Sequence, residues 1–230
     1  MNLQFKKSDP NKLSNYTELY RKCFDNFPLG RDESYLDWLY NKNPQGKFIG
    51  IDAFDIEKGI QVGQVGGVPC EFSYGGKSIK VIQPVNVCVH KDYRGYILFS
   101  KMAKRFENYA IDENYSLIIG VSNKLATAVW KRSISMKVLT KLDVLLGYGD
   151  LGIENLNLNS DMFYSLWNEN KINWRRQNPY NKAFVNKKKK LKFFSPSVSL
   201  FEVFSYVDNK NYNLNFDKKK VTFYLTCSLD

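Results

Sequence analysis

Apolar positions along the first half of the chain alternate between two periods, one near 3.6 and one of 2. From Asn11 to Cys23, Leu13, Tyr16, Leu19, Tyr20 and Cys23 fall three or four residues apart, which predicts an amphipathic helix. A short edge strand is expected before it at Gln4–Phe5. Phe27-Pro28-Leu29-Gly30 reads as a turn. Asp32 to Tyr40 then forms a second helix, with Asp32 placed to cap it and Asn43-Pro44-Gln45-Gly46 ending it. The pattern next switches to strands. Phe48 to Asp55 and Ile60 to Phe72 flank a turn at Glu57-Lys58-Gly59, and Tyr74-Gly75-Gly76-Lys77 makes a second hairpin turn. Gly63, Gly66 and Gly67 inside the long strand point to a bulge or a close backbone approach.

Ile79 to Val89 alternates Val81, Val85, Val87 and Val89 with Ile82, Asn86 and Cys88, and Pro84 within it implies a bulge or an unpaired position. His90 to Gly95 is a polar link. Tyr96 to Ala110 is an amphipathic helix, with Leu98, Phe99, Met102, Ala103 and Phe106 on its buried stripe. A short strand at Leu117–Val121, a helix at Asn123–Arg132 and a strand at Val138–Leu146 follow. The order β-α-α-β-β-β-α-β-α-β specifies a mixed α/β layer on one sheet. Gly147 to Asp161 reads as a linker. Beyond it, a helix is expected over Met162–Trp174 and strands at Ala183–Val185, Leu191–Phe194, Ser199–Tyr206 and Val221–Cys227. One internal echo stands out: Trp38 with Asn43-Pro44 and Phe48 resembles Trp174 with Asn178-Pro179 and Phe184. The expected domains are therefore 1–148 and a partial second lobe, 149–230, built like the start of the first.

Composition narrows the classes. With 43% hydrophobic and 25% charged residues the chain can bury a core. Lys+Arg 34 against Asp+Glu 23 leaves a charge of +11, which allows an anionic partner. The lysines are mostly dispersed. The runs Lys187 to Lys190 and Lys218 to Lys220 are the only dense ones, so nucleic acid is a minor alternative. Cys23, Cys70, Cys88 and Cys227 have no metal-ligand spacing and there is one histidine, His90, so no metal site is expected. No signal-peptide core or membrane-length apolar run is present, and a soluble cytoplasmic protein is expected.

The chemistry concentrates in Val85 to Lys101, where a strand enters a basic, glycine-containing loop and then a helix. The first helical N–H groups lack intrahelical partners and carry the positive end of the helix dipole, so a pyrophosphate fits there beside Arg94, with Gly95 allowing close approach. Taken alone, the same residues also describe a plain strand-to-helix turn. The segment Val87 to Lys101, with Asp92-Tyr93-Arg94-Gly95, resembles the acetyl-CoA-binding segment of the GNAT superfamily of N-acetyltransferases. It is most similar to bacterial members that accompany polysaccharide biosynthesis. Trp38 with Asn43-Pro44 and Gly46, and Gly120-Val121-Ser122-Asn123 with Trp130-Lys131-Arg132, agree with that family in order and spacing. The resemblance covers roughly residues 1–146.

It implies a GNAT-like acyl-CoA N-acyltransferase fold, acetyl-CoA or another acyl-CoA as cosubstrate, and a small amine acceptor such as an amino sugar or nucleotide sugar. It implies that main-chain groups of Val87 and Val89 pair with the pantetheine arm and that the Val87 amide polarises the thioester carbonyl. Arg94, Gly95, Tyr96, Ile97, Leu98 and Phe99 would hold the pyrophosphate, and Asn123 the pantetheine. The chain departs from the family at four places. Ile97 replaces a second glycine, and Ser133-Ile134 replaces Leu-Gly. Trp130 stands where a tyrosine general acid is common, and Ile79 to Val89 carries no carboxylate base. Glu71, His90 and Asp92 remain as base candidates, and Tyr40 and Tyr93 as proton donors. A non-catalytic binding module of the same fold is the main alternative to an enzyme.

Overall fold

The computed structural model describes residues 2–24, 32–138, 143–148, 163–180, 183–185, 191–194, 201–205 and 223–228. The turn at Phe27–Gly30, the lysine runs Lys187–Lys190 and Lys218–Lys220, and all of the expected linker except Gly147 and Tyr148 lie outside the described residues. Two compact units emerge, Met1–Phe72 with Ile79–Val138, and Ser73–Ser78 with Leu139–Asp230. No helix among the described residues is long and apolar enough to cross a membrane.

The first unit runs β1 (Leu3–Lys7), α1 (Leu13–Cys23), α2 (Glu33–Tyr40), β2 (Ile49–Asp55), β3 (Ile60–Tyr74), β4 (Lys77–Pro84), β5 (Cys88–Val89), a one-turn 3-10 helix (Lys91–Tyr93), α3 (Tyr96–Asp112), β6 (Leu117–Ile118) and α4 (Lys124–Ile134). The sheet order is β1-β2-β3-β4-β6, and β5 continues the line of β4 against β3. β2 is antiparallel to β1 and β3, whereas β4 and β6 are parallel. This is the mixed α/β fold that the order of elements specified. Two boundaries are corrected. The strand expected over Ile79–Val89 is broken at 85–87, and that expected over Leu117–Val121 stops at Ile118.

The sheet has chemically different faces because side chains alternate along each strand. Ile49, Ile51, Ala53 and Val65 form one core with Leu98, Phe99, Met102, Ala103 and Phe106 of α3 and Trp130 of α4. On the opposite face Asp52 lies across from Gln64, and Gln64 across from Cys88, under the aromatic side chains of α1 and α2. Phe48 stacks on Tyr40 there with ring centroids 4.1 Å apart. Gly66 explains why the long strand carries glycines: a Cβ at that position would stand 2.6 Å from the Ile49 carbonyl oxygen and would overlap the Phe48 ring. α2 begins as expected, with the Asp32 carboxylate accepting from the Tyr35 N–H at 3.0 Å.

The second unit contains β7 (Asp143–Tyr148), β8 (Tyr164–Ser165), α5 (Glu169–Arg176), β9 (Ala183–Val185), β10 (Leu191–Phe194), β11 (Phe201–Ser205) and β12 (Phe223–Ser228). Five of these strands form a sheet in the order β7-β12-β11-β10-β9. Of the expected strand Val138–Leu146, the described part is in β7, which also includes Gly147 and Tyr148, and in place of the expected helix Met162–Trp174 stands α5, opened by Asn168, whose side chain accepts from the Lys171 N–H at 2.9 Å. The buried Lys171 ammonium donates to Ser165 Oγ at 2.7 Å and the Leu166 carbonyl at 2.8 Å, which satisfies the charge locally.

The sequence echo has a structural counterpart. Trp38 and Trp174 are buried on helices α2 and α5. In each case a buried asparagine before proline follows the helix and accepts from the N–H two residues on: Asn43 from Gln45 at 3.0 Å, and Asn178 from Tyr180 at 2.9 Å. Strands β2 and β9 start soon after these turns.

Replacing Gly66 with alanine is expected to destabilise the first unit by about 2 kcal/mol, since neither the Ile49 carbonyl nor the Phe48 ring can yield cheaply. A lowered urea midpoint at unchanged slope checks this.

Candidate functional site

β4 and β6 are hydrogen-bonded only briefly. Val81 lies opposite Leu117 and Ile82 opposite Ile118, and the Ile119 N–H donates to the Ile82 carbonyl at 3.1 Å. The next bond in that parallel ladder requires an N–H at residue 84, which is proline. The described β4–β6 ladder ends there. Gly120, Val121, Ser122 and Asn123 on the β6 side are exposed.

On the β4 side the backbone is bulged. The Val85 N–H donates to the Gly66 carbonyl at 3.1 Å, yet Cys88 lies opposite Gln64, so three steps along one strand match two along the other. The extra residue is accommodated at Asn86, with φ 51°, a left-handed conformation asparagine tolerates better than most. After the bulge the His90 N–H donates to the Val62 carbonyl at 2.8 Å. Main-chain groups of Cys88 and His90 therefore face β3, and those of Val87 and Val89 turn the opposite way, away from β3. The side chains of Val87 and Val89 pack on the α3 core.

The loop that follows is held at three points. The His90 imidazole caps the 3-10 turn, with Nδ1 accepting from the Asp92 N–H at 3.3 Å. The Tyr93 hydroxyl donates to Asp55 Oδ2 at 2.6 Å, which lowers the Asp55 pKa and raises that of Tyr93. Arg94 turns back, donating to the Cys23 carbonyl at 2.9 Å and the Val89 carbonyl at 3.4 Å. Gly95 then precedes α3 with φ 156°, and no side chain caps that helix. A residue with a Cβ would be strained there, although the space is open. The first-turn amides around Ile97, Leu98 and Phe99 thus sit behind an uncapped end. The Ile97 side chain is 73% exposed, while Leu98 and Phe99 are buried.

The remaining sequence candidates are dispersed. Asn123 is the α4 N-cap, its Oδ1 accepting from the Ala126 N–H at 2.9 Å. Trp130 packs edge-on against Phe99 with centroids 5.0 Å apart, and Ser133 meets Ser100 at 2.8 Å, so two of the departures from the family pattern are absorbed in the α3–α4 packing. Asp92 is exposed, and Glu71 lies five residues along β3 from the partner of Val85, roughly 16 Å away. The structure thus brings Val87, Val89 and Arg94–Phe99 into one region but does not bring Glu71 there.

A buried polar cluster behind the bulge was not foreseen. Asp52, 5% exposed, accepts from Ser8 Oγ at 2.8 Å, Tyr16 OH at 3.0 Å and Gln64 Nε2 at 3.3 Å. Gln64 Oε1 accepts from the Tyr20 hydroxyl, Tyr20 and Tyr40 hydroxyls are 2.6 Å apart, and Asn86 Nδ2 donates to Tyr40 OH at 3.0 Å. Burial pushes the Asp52 pKa up to about 6 despite those donors, and burial raises the three tyrosines as well. The available signal was a carboxylate at the centre of the otherwise apolar run Ile49–Phe54.

A family model described as an acetyltransferase (GNAT) domain matches residues 4–128. Comparison with curated proteins gives no match. Among solved structures, an Enterococcus faecalis V583 protein described as a probable N-acyltransferase is 10% identical, with a TM-score of 0.59, covering 99% of this chain and 66% of that one. A predicted acetyltransferase from Clostridium acetobutylicum, solved with acetyl-CoA, is 18% identical, with a TM-score of 0.49 over 62% of this chain and 95% of its own. An aminoglycoside acetyltransferase from an uncultured soil metagenomic sample is 14% identical, with a TM-score of 0.47 over 63% and 99% of the two chains.

The buried carboxyl makes stability pH-dependent. Asp52 is protonated in both states well below its ordinary value of 3.8, is protonated only in the folded chain between there and about 6, and is ionised in both above that. Stability from this group is therefore lost as pH rises through 6, by up to about 3 kcal/mol. Relative to the wild type, Asp52→Asn is expected to be more stable at pH 7.5 than at pH 4.5, as read from urea midpoints.

Proposed function

The chain belongs to the GNAT acetyltransferase family, and from that premise we propose that it moves an acetyl or related acyl group from acyl-CoA to a primary amine, with an amino sugar or nucleotide sugar as the favoured acceptor. The observation that carries this is the end of the β4–β6 ladder at Pro84. Beyond it the Val87 and Val89 main-chain groups face away from β3, ahead of the uncapped start of α3. In this reading the pantetheine arm pairs with Val87 and Val89 as an added strand. The amides from Gly95 to Phe99 take the pyrophosphate, with Tyr96 and Ile97 contributing main-chain donors. The Val87 N–H donates to the thioester carbonyl oxygen, which gains negative charge as the amine attacks. The tetrahedral intermediate collapses with release of CoA thiol, and no covalent enzyme intermediate is needed.

Asn123 contributes through Nδ2, since Oδ1 is committed to the α4 amide. Arg94 first has to leave the Cys23 and Val89 carbonyls to meet a phosphate. The amine must lose a proton, and His90 and Asp92 stand at the loop after Val89, His90 with Nδ1 engaged as a cap and Asp92 in solvent. With Glu71 distant and no carboxylate on β4 or β5, proton removal through water is the route this reading favours.

A second reading is favoured by that same arrangement of weak bases: a member of the fold that binds acyl-CoA without turnover. Residues 149–230 are proposed as the start of a second lobe, on the strength of the matching Asn43 and Asn178 turns.

Calorimetry with acetyl-CoA, followed by CoA-thiol release across a panel of amines, tests both readings. Binding with turnover on an amine supports the transferase. Binding without turnover on any amine supports the second reading, and no binding sinks both. Gly95→Ala is expected to weaken acetyl-CoA binding about tenfold with the fold intact by circular dichroism, because φ 156° excludes a side chain.

A further inference from the structure

Four hydrogen bonds lead from the bulge into the protein interior, and their directions are all determined. Asn86 Nδ2 has only protons to give, so the Tyr40 oxygen accepts from it. At the other end the Asp52 carboxylate only accepts when ionised, so Gln64 must present Nε2 to Asp52 and Oε1 to Tyr20. Tyr20 spends its single proton on Gln64. In the 2.6 Å Tyr20–Tyr40 contact Tyr40 is therefore the donor. Donation runs one way, from Asn86 through Tyr40 and Tyr20 to Gln64 and Asp52. Tyr20, Tyr40, Gln64 and Asp52 are all buried, so each misdirected bond would strand a polar atom away from water.

The hydrogen-bond chain ends on Asn86, one of three described non-glycine residues with positive φ. Asn86 holds φ 51°, and its neighbour is Val87. A relaxed, extended Asn86 does not fit the three-against-two register held on either side of it and would rotate the following peptide. The Asn86 side chain cannot stay on Tyr40 while that happens. Tyr40 in turn is fixed by stacking on Phe48 and by its place at the end of α2.

We propose that Asp52, Gln64, Tyr20 and Tyr40 are positioning residues for acyl transfer, a buried, one-way hydrogen-bond chain that holds Asn86 in its left-handed conformation and so aims the Val87 amide at the thioester carbonyl. The proposal rests on acyl-CoA binding beside Val87; the four residues are buried behind the bulge and act through Asn86, which assigns Tyr40 a positioning role in place of the proton-donor role that the sequence left open. The chain also accounts for a buried carboxylate that the acyl-transfer steps themselves do not use.

The test compares CoA with acetyl-CoA, because the two differ only in the group that Val87 would recognise. In the wild type, acetyl-CoA is expected to bind about fivefold tighter than CoA, the worth of one neutral hydrogen bond. Tyr40→Phe and Tyr20→Phe keep the ring packing but cut the chain. Each is expected to bring acetyl-CoA down to parity with CoA while CoA affinity stays as in the wild type. Leu19→Ala, a cavity on the same helix as Tyr20, should lower stability and leave the ratio intact. A ratio unchanged in both folded tyrosine variants overturns the proposal, as does a ratio that falls equally in Leu19→Ala. Wild type that binds neither compound overturns the acyl-CoA reading and this proposal with it; binding of both with no acetyl preference overturns the proposal alone. Should the tyrosine variants fail to fold, the wild type decides. Nuclear magnetic resonance should show the Asn86 side-chain amide protons shifted and exchanging slowly with solvent, and solvent-like exchange there overturns the chain.

Discussion

Strand β4 stops pairing with β6 because residue 84 is a proline. A parallel ladder needs an N–H at every second residue, and the ladder that includes Ile82 and Ile119 meets a residue with none to give. One missing donor would not separate two strands by itself. The bulge at Asn86 turns the chain further, and the β6 side runs into exposed residues instead of more strand. The result is a β4–β6 ladder that ends at one edge, with the Val87 and Val89 main-chain groups facing away from β3.

The sheet also separates two kinds of packing. Toward α3 and α4 it is covered by aliphatic residues, Phe99, Phe106 and Trp130, a core held by volume and area. Toward α1 and α2 it carries tyrosines over an aspartate and a glutamine. Such a layer is stable only if every polar atom is matched. An apolar layer tolerates small slippage, whereas a hydrogen-bonded one has a single good register. The bulge lies against the second kind.

Much of this was legible from residue order. Periodicity located α1, α2 and α3, Asp32 declared itself as a cap, and Pro84 flagged the interruption within a strand. The Arg94–Gly95 turn into α3 could be read because glycine, a basic residue and a helix start are local signals. The buried chain from Asn86 to Asp52 could not be read that way. Its members lie on α1, α2, β2, β3 and the bulge, 12 to 46 residues apart along successive contacts, and nothing local distinguishes Tyr20 or Gln64 from ordinary core or surface residues. The helix expected over Met162–Trp174 is present only in its second half, as α5. The expected start was too early: Asn168 caps the helix, and Tyr164–Ser165 before it are a strand.

Arg94 holds two main-chain oxygens, one at the last residue of α1 and one on β5. In the proposed reading, an incoming diphosphate would compete with the protein for this guanidinium. Whatever the anion gains there is reduced by the bonds it displaces, and two carbonyls must find water or another donor. In that reading, anion binding at the loop would cost the last residue of α1 a hydrogen bond, 71 residues away in sequence.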